Sequence, residues 1–418
     1  MMGALFIFVV ILGMGGYFRA KVTGEGASLP LTGLLTKDAL AQAMVTTKAY
    51  EGFPNELDLP IDGKSKRVIL QYTFDPKLQE DMETAFKVYH PDYGAFVAID
   101  ASTGRVLAMV SHAEDKDMLE HLALRASFPS ASVFKMVTAS AAIAERHLTG
   151  DSLVSFDGRS HTLYKSQILK TAHNRWTRTI TLKQAFAQSV NTVFGKLGAY
   201  TVGANQLRDY ADRFGFNRKI AADFPIEEGK AAIADNPFSL AETASGYTRE
   251  NTMSPMQGAL MAAAIVNDGR MMEPFLIQSV HAMDGSSLYK AEPKLAGVSV
   301  DPTTAAEVRR MGSETVTRGT SRKSFRNFFR GKFADVDVGG KTGSLMGMSP
   351  PGKYDWFVGW AYRGDQKIAI AALTIHGKLW RVKSSFLARM AIEKYFKDKV
   401  QTDGKSARGA RFAKASAR

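Results

Sequence analysis

The segment Ala95-Phe-Val-Ala-Ile-Asp-Ala-Ser-Thr-Gly-Arg-Val-Leu-Ala-Met-Val110 decides the fold class. Ala95–Ile99 is wholly apolar, Asp100–Gly104 is turn chemistry, and Val106–Val110 is apolar again, so the stretch predicts a hairpin whose strands are buried. Upstream, Val68–Tyr72 predicts a strand. Asp75–Val88 predicts an amphipathic helix, with Leu78, Met82, Ala85 and Phe86 on one face. Downstream, residues 132–270 are rich in helix formers. Strand patterns then return at Val336–Gly340, Trp356–Ala361 and Ile368–Ile375, and Ser384–Lys397 predicts a closing helix. Strands at both ends with helices between them predict an α+β arrangement, one sheet built from distant segments.

The flanks read differently. Met1–Phe18 is 18 residues without a charged side chain, which as a helix covers ~27 Å, enough for a thin bilayer core. It is expected to be a single membrane anchor, with residues 19–418 outside the cytoplasm. Residues 19–67 read as a stalk, with a short helix over Lys37–Tyr50, and residues 68–397 as the globular domain. Residues 398–418, with six Lys/Arg and two acids, read as a basic disordered tail.

The 418 residues carry 54 Lys+Arg and 41 Asp+Glu, a formal net charge of +13, and no cysteine. The missing thiol excludes a disulfide framework, a zinc ribbon and a cysteine nucleophile. The basic excess suits an anionic partner: a membrane surface, an acidic polymer or a nucleic acid. The cations are spread along the chain with no compact nucleic-acid motif, and the eight histidines are scattered without metal-ligand spacing. No metal, cofactor or nucleic-acid partner is therefore expected.

Three short motifs carry the chemistry. Ser132-Val-Phe-Lys135 comes first, Ser189-Val-Asn191 follows 57 residues later, and Lys341-Thr-Gly343, with Ser344 behind it, 152 residues after that. Each has a bland reading. Ser132 could cap a helix beginning at Val133. Ser189 and Asn191 could end a helix. Gly339-Gly-Lys-Thr-Gly343 could be a turn or bulge. Together they support a sharper reading. On a helix, Ser132 and Lys135 share a face one turn apart. A serine hydroxyl becomes a nucleophile when a base takes its proton, and a lysine can be that base if burial and a neighbouring cation keep it neutral. Lys341 can supply that charge, on an edge strand along which an extended peptide lies. A second Ser-x-x-Lys match, Ser287–Lys290, follows the turn Asp284-Gly285 and reads as a surface hairpin.

The ordered set Ser-x-x-Lys, Ser-x-Asn, Lys-Thr-Gly resembles the penicillin-binding proteins and serine β-lactamases. Ser254-Pro-Met-Gln257, Asn267-Asp-Gly269 and Asp355-Trp-Phe-Val-Gly359 add to the likeness, which covers residues 68–397. It implies a central antiparallel sheet with helices on both faces, and a peptidoglycan D,D-transpeptidase. Ser132 would be acylated by the penultimate D-Ala of a stem peptide. Lys135 would be the base, Ser189 a proton relay to the leaving amine, and Asn191 a substrate-binding amide. Lys341 and Thr342 would hold the terminal carboxylate on the Gly343-Ser344 strand, with the Ser132 and Ser344 N–H groups as the oxyanion hole. The implied partners are stem peptides, β-lactam antibiotics and a membrane glycosyltransferase. The implied location is the inner (cytoplasmic) membrane, single-pass, with the catalytic domain in the periplasm.

Only 131 residues precede Ser132, which suggests a compact monofunctional protein without a glycosyltransferase domain or large pedestal. Asn191 is unlike the hydrophobic residue usual in class D β-lactamases, and no Glu-x-x-Leu-Asn stretch resembles the class A deacylation motif. A D,D-carboxypeptidase, a serine β-lactamase, and a non-catalytic β-lactam sensor or divisome scaffold remain the alternatives.

Overall fold

The computed structural model describes residues 35–61, 64–114, 121–169 and 175–397. The anchor expected over 1–18 and the tail expected over 398–418 lie outside the described residues. Among the described residues no helix is long and apolar enough to cross a membrane.

A five-stranded antiparallel sheet organises the body. Its strands run, from one edge to the other, Asp337–Met348, Pro351–Arg363, Gln366–His376, Tyr93–Asp100 and Val106–Ala113. The predicted hairpin thus lies at one edge and pairs through Tyr93–Asp100 with a strand from the far end of the chain. Both faces are covered, which is why Ala95–Ile99 shows no polar alternation. Val97 and Ile99 face the core containing the helix Pro255–Val266, every residue of which is buried. Phe96 and Ala98 face a second core containing the helix Pro76–Tyr89 and the helix over 384–397.

The helix Pro76–Tyr89 starts where its sequence directs. Asp75 accepts from the Leu78 N–H at 3.1 Å and Pro76 fills the first turn, where no donor is needed. Leu78, Met82, Ala85 and Phe86 are buried, as the period predicts.

A smaller antiparallel sheet orders Glu56–Ile61, Lys64–Tyr72, Ile277–Ala282 and Ser287–Lys290. The second Ser-x-x-Lys match is therefore one strand of a hairpin. This sheet corrects the stalk boundary. Residues expected to lead up to the domain are part of it: Lys37–Thr47 is a helix, Glu56–Ile61 a strand, and Leu40, Met44, Leu59 and Ile61 are buried in the main core. Lys37 also pairs with Glu273 at 2.8 Å. Hydrophobic burial, on a sheet completed by the distant strand Ile277–Ala282, makes the described part of this segment belong to the body.

Candidate active site

The turn that carries Ser132 comes first. Ala131–Phe134 forms a 3₁₀ turn that runs into the helix Lys135–Arg146. Ala131 sits at φ 47°, in the left-handed region a side chain rarely adopts. The turn is wedged against Gly246, where an added Cβ would stand 1.8 Å from the Ala131 carbonyl oxygen. Ser132 does not act as a helix cap, since no side-chain cap closes this helix start.

Lys135 leaves the first turn of the helix and is fully buried. Its Nζ lies 2.7 Å from Ser132 Oγ and donates to Asn191 Oδ1 at 2.8 Å and to the Ser245 carbonyl. Burial holds its pKa well below the ordinary lysine value, and the charge of Lys341 pushes it the same way.

Ser189 lies in the loop between the helices Leu182–Ala187 and Asn191–Lys196, also at positive φ, 56°. This strained backbone turns its hydroxyl toward the edge strand, where Lys341 Nζ donates to Ser189 Oγ at 2.9 Å and to the Thr342 carbonyl at 2.9 Å. Lys341 is fully buried, over the ring of Phe186, and burial brings its pKa down to about 7.

The Asn191 amide is engaged on both sides: Oδ1 accepts from Lys135 and Nδ2 donates to the His161 carbonyl at 2.9 Å. These bonds tie it to Lys135 and to the segment around His161.

The edge strand reaches farther than its sequence pattern, from Asp337 to Met348 through the Lys-Thr-Gly motif. Gly343 lets it pass the Ser132 turn closely, since an added Cβ would lie 3.1 Å from Val133 Cγ2 and 3.2 Å from the Ser130 carbonyl oxygen.

Ser132, Ser189, Asn191, Thr342, Gly343 and Ser344 line one cleft of about 500 Å3. Lys135 and Lys341 lie beneath it, so the structure gathers all eight residues singled out in the sequence. Several others had no motif to announce them. Thr320 Oγ1 stands 2.6 Å from Thr342 Oγ1, doubling the hydroxyl at that end. Ser245 contributes only a carbonyl, which no side-chain pattern can reveal. At another part of the cleft Lys353 and Lys383 both lie over the Trp380 ring.

Comparison with known proteins follows this geometry. The family model described as penicillin binding protein transpeptidase domain matches residues 94–391. Peptidoglycan D,D-transpeptidase PbpA of Mycolicibacterium smegmatis is 27% identical over 322 residues, 69% of this chain and 62% of the relative. PbpA of Mycobacterium tuberculosis is 26% identical over 343 residues, 73% and 67% respectively. The chain therefore spans about two thirds or less of these relatives' length. Among solved structures, the D,D-transpeptidase domain of a peptidoglycan glycosyltransferase from Eggerthella lenta superposes with a TM-score of 0.66 at 27% identity, over 79% of this chain and 83% of that one. A penicillin G acyl-enzyme complex of penicillin-binding protein A from M. tuberculosis has a TM-score of 0.62 at 22% identity, over 78% and 80%. With one family model spanning most of the folded body and the three motifs meeting in one cleft, the chain belongs to the penicillin-binding protein transpeptidase domain family.

Proposed function

We propose that this chain is a serine peptidoglycan D,D-transpeptidase and a β-lactam target. One observation carries the reading: Ser132 Oγ lies 2.7 Å from a buried lysine amine while a second buried lysine holds Ser189 at 2.9 Å.

A neutral Lys135 amine has two N–H donors and one lone pair. Asn191 Oδ1 and the Ser245 carbonyl take the two donors. The lone pair is left for the Ser132 hydroxyl, whose proton it accepts as Oγ attacks the carbonyl carbon of the penultimate D-Ala. The Ser132 and Ser344 backbone N–H groups receive the oxyanion. As the carbon–nitrogen bond breaks, the proton passes through Ser189 Oγ to the departing D-Ala amine. The amine of a neighbouring stem then attacks the ester and gives its proton back through the same groups.

The terminal carboxylate meets the Thr342 and Thr320 hydroxyls directly. Lys341, buried beneath them, supplies charge from below and fixes Ser189. A bound carboxylate stabilises the ammonium form and raises the Lys341 pKa from its value near 7.

The proposal extends to the whole chain: an anchor over residues 1–18 in the cytoplasmic membrane, a catalytic body facing the periplasm, and a membrane glycosyltransferase supplying glycan strands. The folded body is assigned to residues 35–397, wider than the 68–397 suggested by pattern alone.

Penicillin labelling of the full chain in detergent tests the reading. Wild type is expected to form a stable adduct and Ser132→Ala none. Lys135→Ala is expected to acylate about 10²- to 10⁴-fold more slowly. Labelling of Ser132→Ala would overturn the assignment, and rapid hydrolysis of the adduct would make the protein a β-lactamase.

A further inference from the structure

Residues 318–332 join the helix Pro302–Thr317 to the edge strand and carry six Lys and Arg with no Asp or Glu. Arg318 pairs with Glu314 at 3.6 Å, and Lys332 lies over the ring of Phe333. Arg322, Lys323, Arg326 and Arg330 are exposed and have no acidic partner among the described residues. They line one pocket of about 830 Å3, with Phe325 and Phe329 in its wall.

The segment is irregular yet firmly held. Phe325, Phe328 and Phe333 are buried in the second core. The Arg389 guanidinium donates to the Ser324 and Arg326 carbonyls at 2.9 and 3.2 Å. Two links tie it to the active cleft: Thr320 to Thr342 at 2.6 Å, and Ser324 Oγ to Ser385 Oγ, a cleft residue, at 2.7 Å. The backbone that carries these four like charges is thus held in place beside the cleft, with all four lining one pocket. Their mutual repulsion is relieved when anions occupy the pocket, and guanidinium forks match carboxylates two bonds at a time.

We propose that this pocket binds carboxylate groups of the wall polymer outside the reacting stem, holding a second stem peptide while the first lies across the cleft. The inference rests on the transpeptidase reading, in which each uncleaved stem ends in a carboxylate. It favours that ligand over a phosphate-bearing surface because the cluster directly continues the hydroxyl pair that receives one such carboxylate.

Co-sedimentation of the detergent-solubilised full chain with purified wall polymer tests it. Replacing Arg322, Arg326 and Arg330 together by Gln is expected to raise the half-saturating polymer concentration about tenfold at low salt. Arg322→Gln alone, a change at one exposed side chain, is expected to raise it about twofold. Polymer whose carboxylates are amidated is expected to bind wild type as weakly as the triple variant does. Equal binding by all proteins, amidation that weakens the triple variant as much as it weakens wild type, or a response confined to phosphatidylglycerol vesicles overturns the proposal. Penicillin labelling of wild type at Ser132 reports separately on the functional reading, so the two can fail independently.

Discussion

Lys135 and Lys341 are both fully buried; burial holds both pKa values down, and the charge of Lys341 pushes Lys135 further in the same direction. A pH dependence follows. Acylation by penicillin is expected to rise with pH as Lys135 loses its proton, along a limb far below the ordinary lysine range. Lys341→Met removes the neighbouring charge, so the Lys135 pKa rises and the limb moves to higher pH. Rate constants measured between about pH 5 and 9 decide this; a limb that stays put or moves down refutes the coupling. The same lysine affects stability. Its pKa is about 7 when folded and near 10.5 when unfolded. Between those values the unfolded chain binds more protons, so stability rises with pH through that window and is lowest below 7. In Lys341→Met this slope should become shallower, with Lys135 still contributing to it, and stability at neutral pH should increase, as urea titrations at pH 7 and 9 would report. Asn191→Ala removes the acceptor that aims Lys135 and should slow acylation about 10- to 100-fold with little change in fold. At this scale the convergence of Ser132, Lys135, Ser189, Asn191 and Lys341 was legible in the sequence, because they meet through side chains that belong to short motifs. Ser245 and Thr320 were not. One offers only a backbone carbonyl, and the other meets Thr342 across a chain separation with no periodic signature.

Among the elements, the edge strand and the helix beside it behave as one unit. The helix Pro302–Thr317 packs on Asp337–Met348, and small residues make the approach possible. A Cβ at Gly312 would fall 2.6 Å from the Trp360 ring and 2.9 Å from the Gly340 nitrogen, and one at Gly339 would fall 2.7 Å from the same ring. Gly312→Ala is therefore expected to cost about 1–3 kcal/mol by overpacking. It should also slow acylation, because the strand it displaces carries Lys341. Denaturation midpoints and labelling rates measured together would show this, and a variant with both unchanged would refute the packing argument. Gly246→Ala faces a harder clash, with positive φ at that residue and the Ala131 carbonyl in the way, and is expected to abolish labelling. These glycines also explain where pattern reading stopped. The strand expected over Val336–Gly340 was cut short at the glycine run, yet that run lets it continue between a helix and a tryptophan. The buried strands Ala95–Ile99 and Ile368–Ile375 were read to within a few residues, since two-sided burial leaves an unbroken apolar signature.

Across the molecule, the segment before the catalytic body is part of it. Glu56–Ile61 pairs with Lys64–Tyr72, which pairs in turn with Ile277–Ala282. A chain beginning at residue 68 loses Leu40, Met44, Leu59 and Ile61 from the core. At about 1.5–3 kcal/mol for each large apolar side chain buried, that truncation is expected to lower the thermal midpoint sharply or leave the protein insoluble. A chain beginning at residue 35 retains these contacts. An equal midpoint for the two would show the segment to be dispensable. Residues up to 67 read as a stalk because sequence pattern is a local signal, whereas the sheet that holds Glu56–Ile61 is completed by Ile277–Ala282, far downstream. The strand Asp337–Met348 ends its sheet with one side unclaimed by any other strand among the described residues, and its Lys341 is buried rather than posted outward to repel strangers. Main-chain groups along that rim are free to pair with an added ribbon, so a short extended peptidomimetic with no reactive ring should compete with penicillin for the cleft through its amides alone.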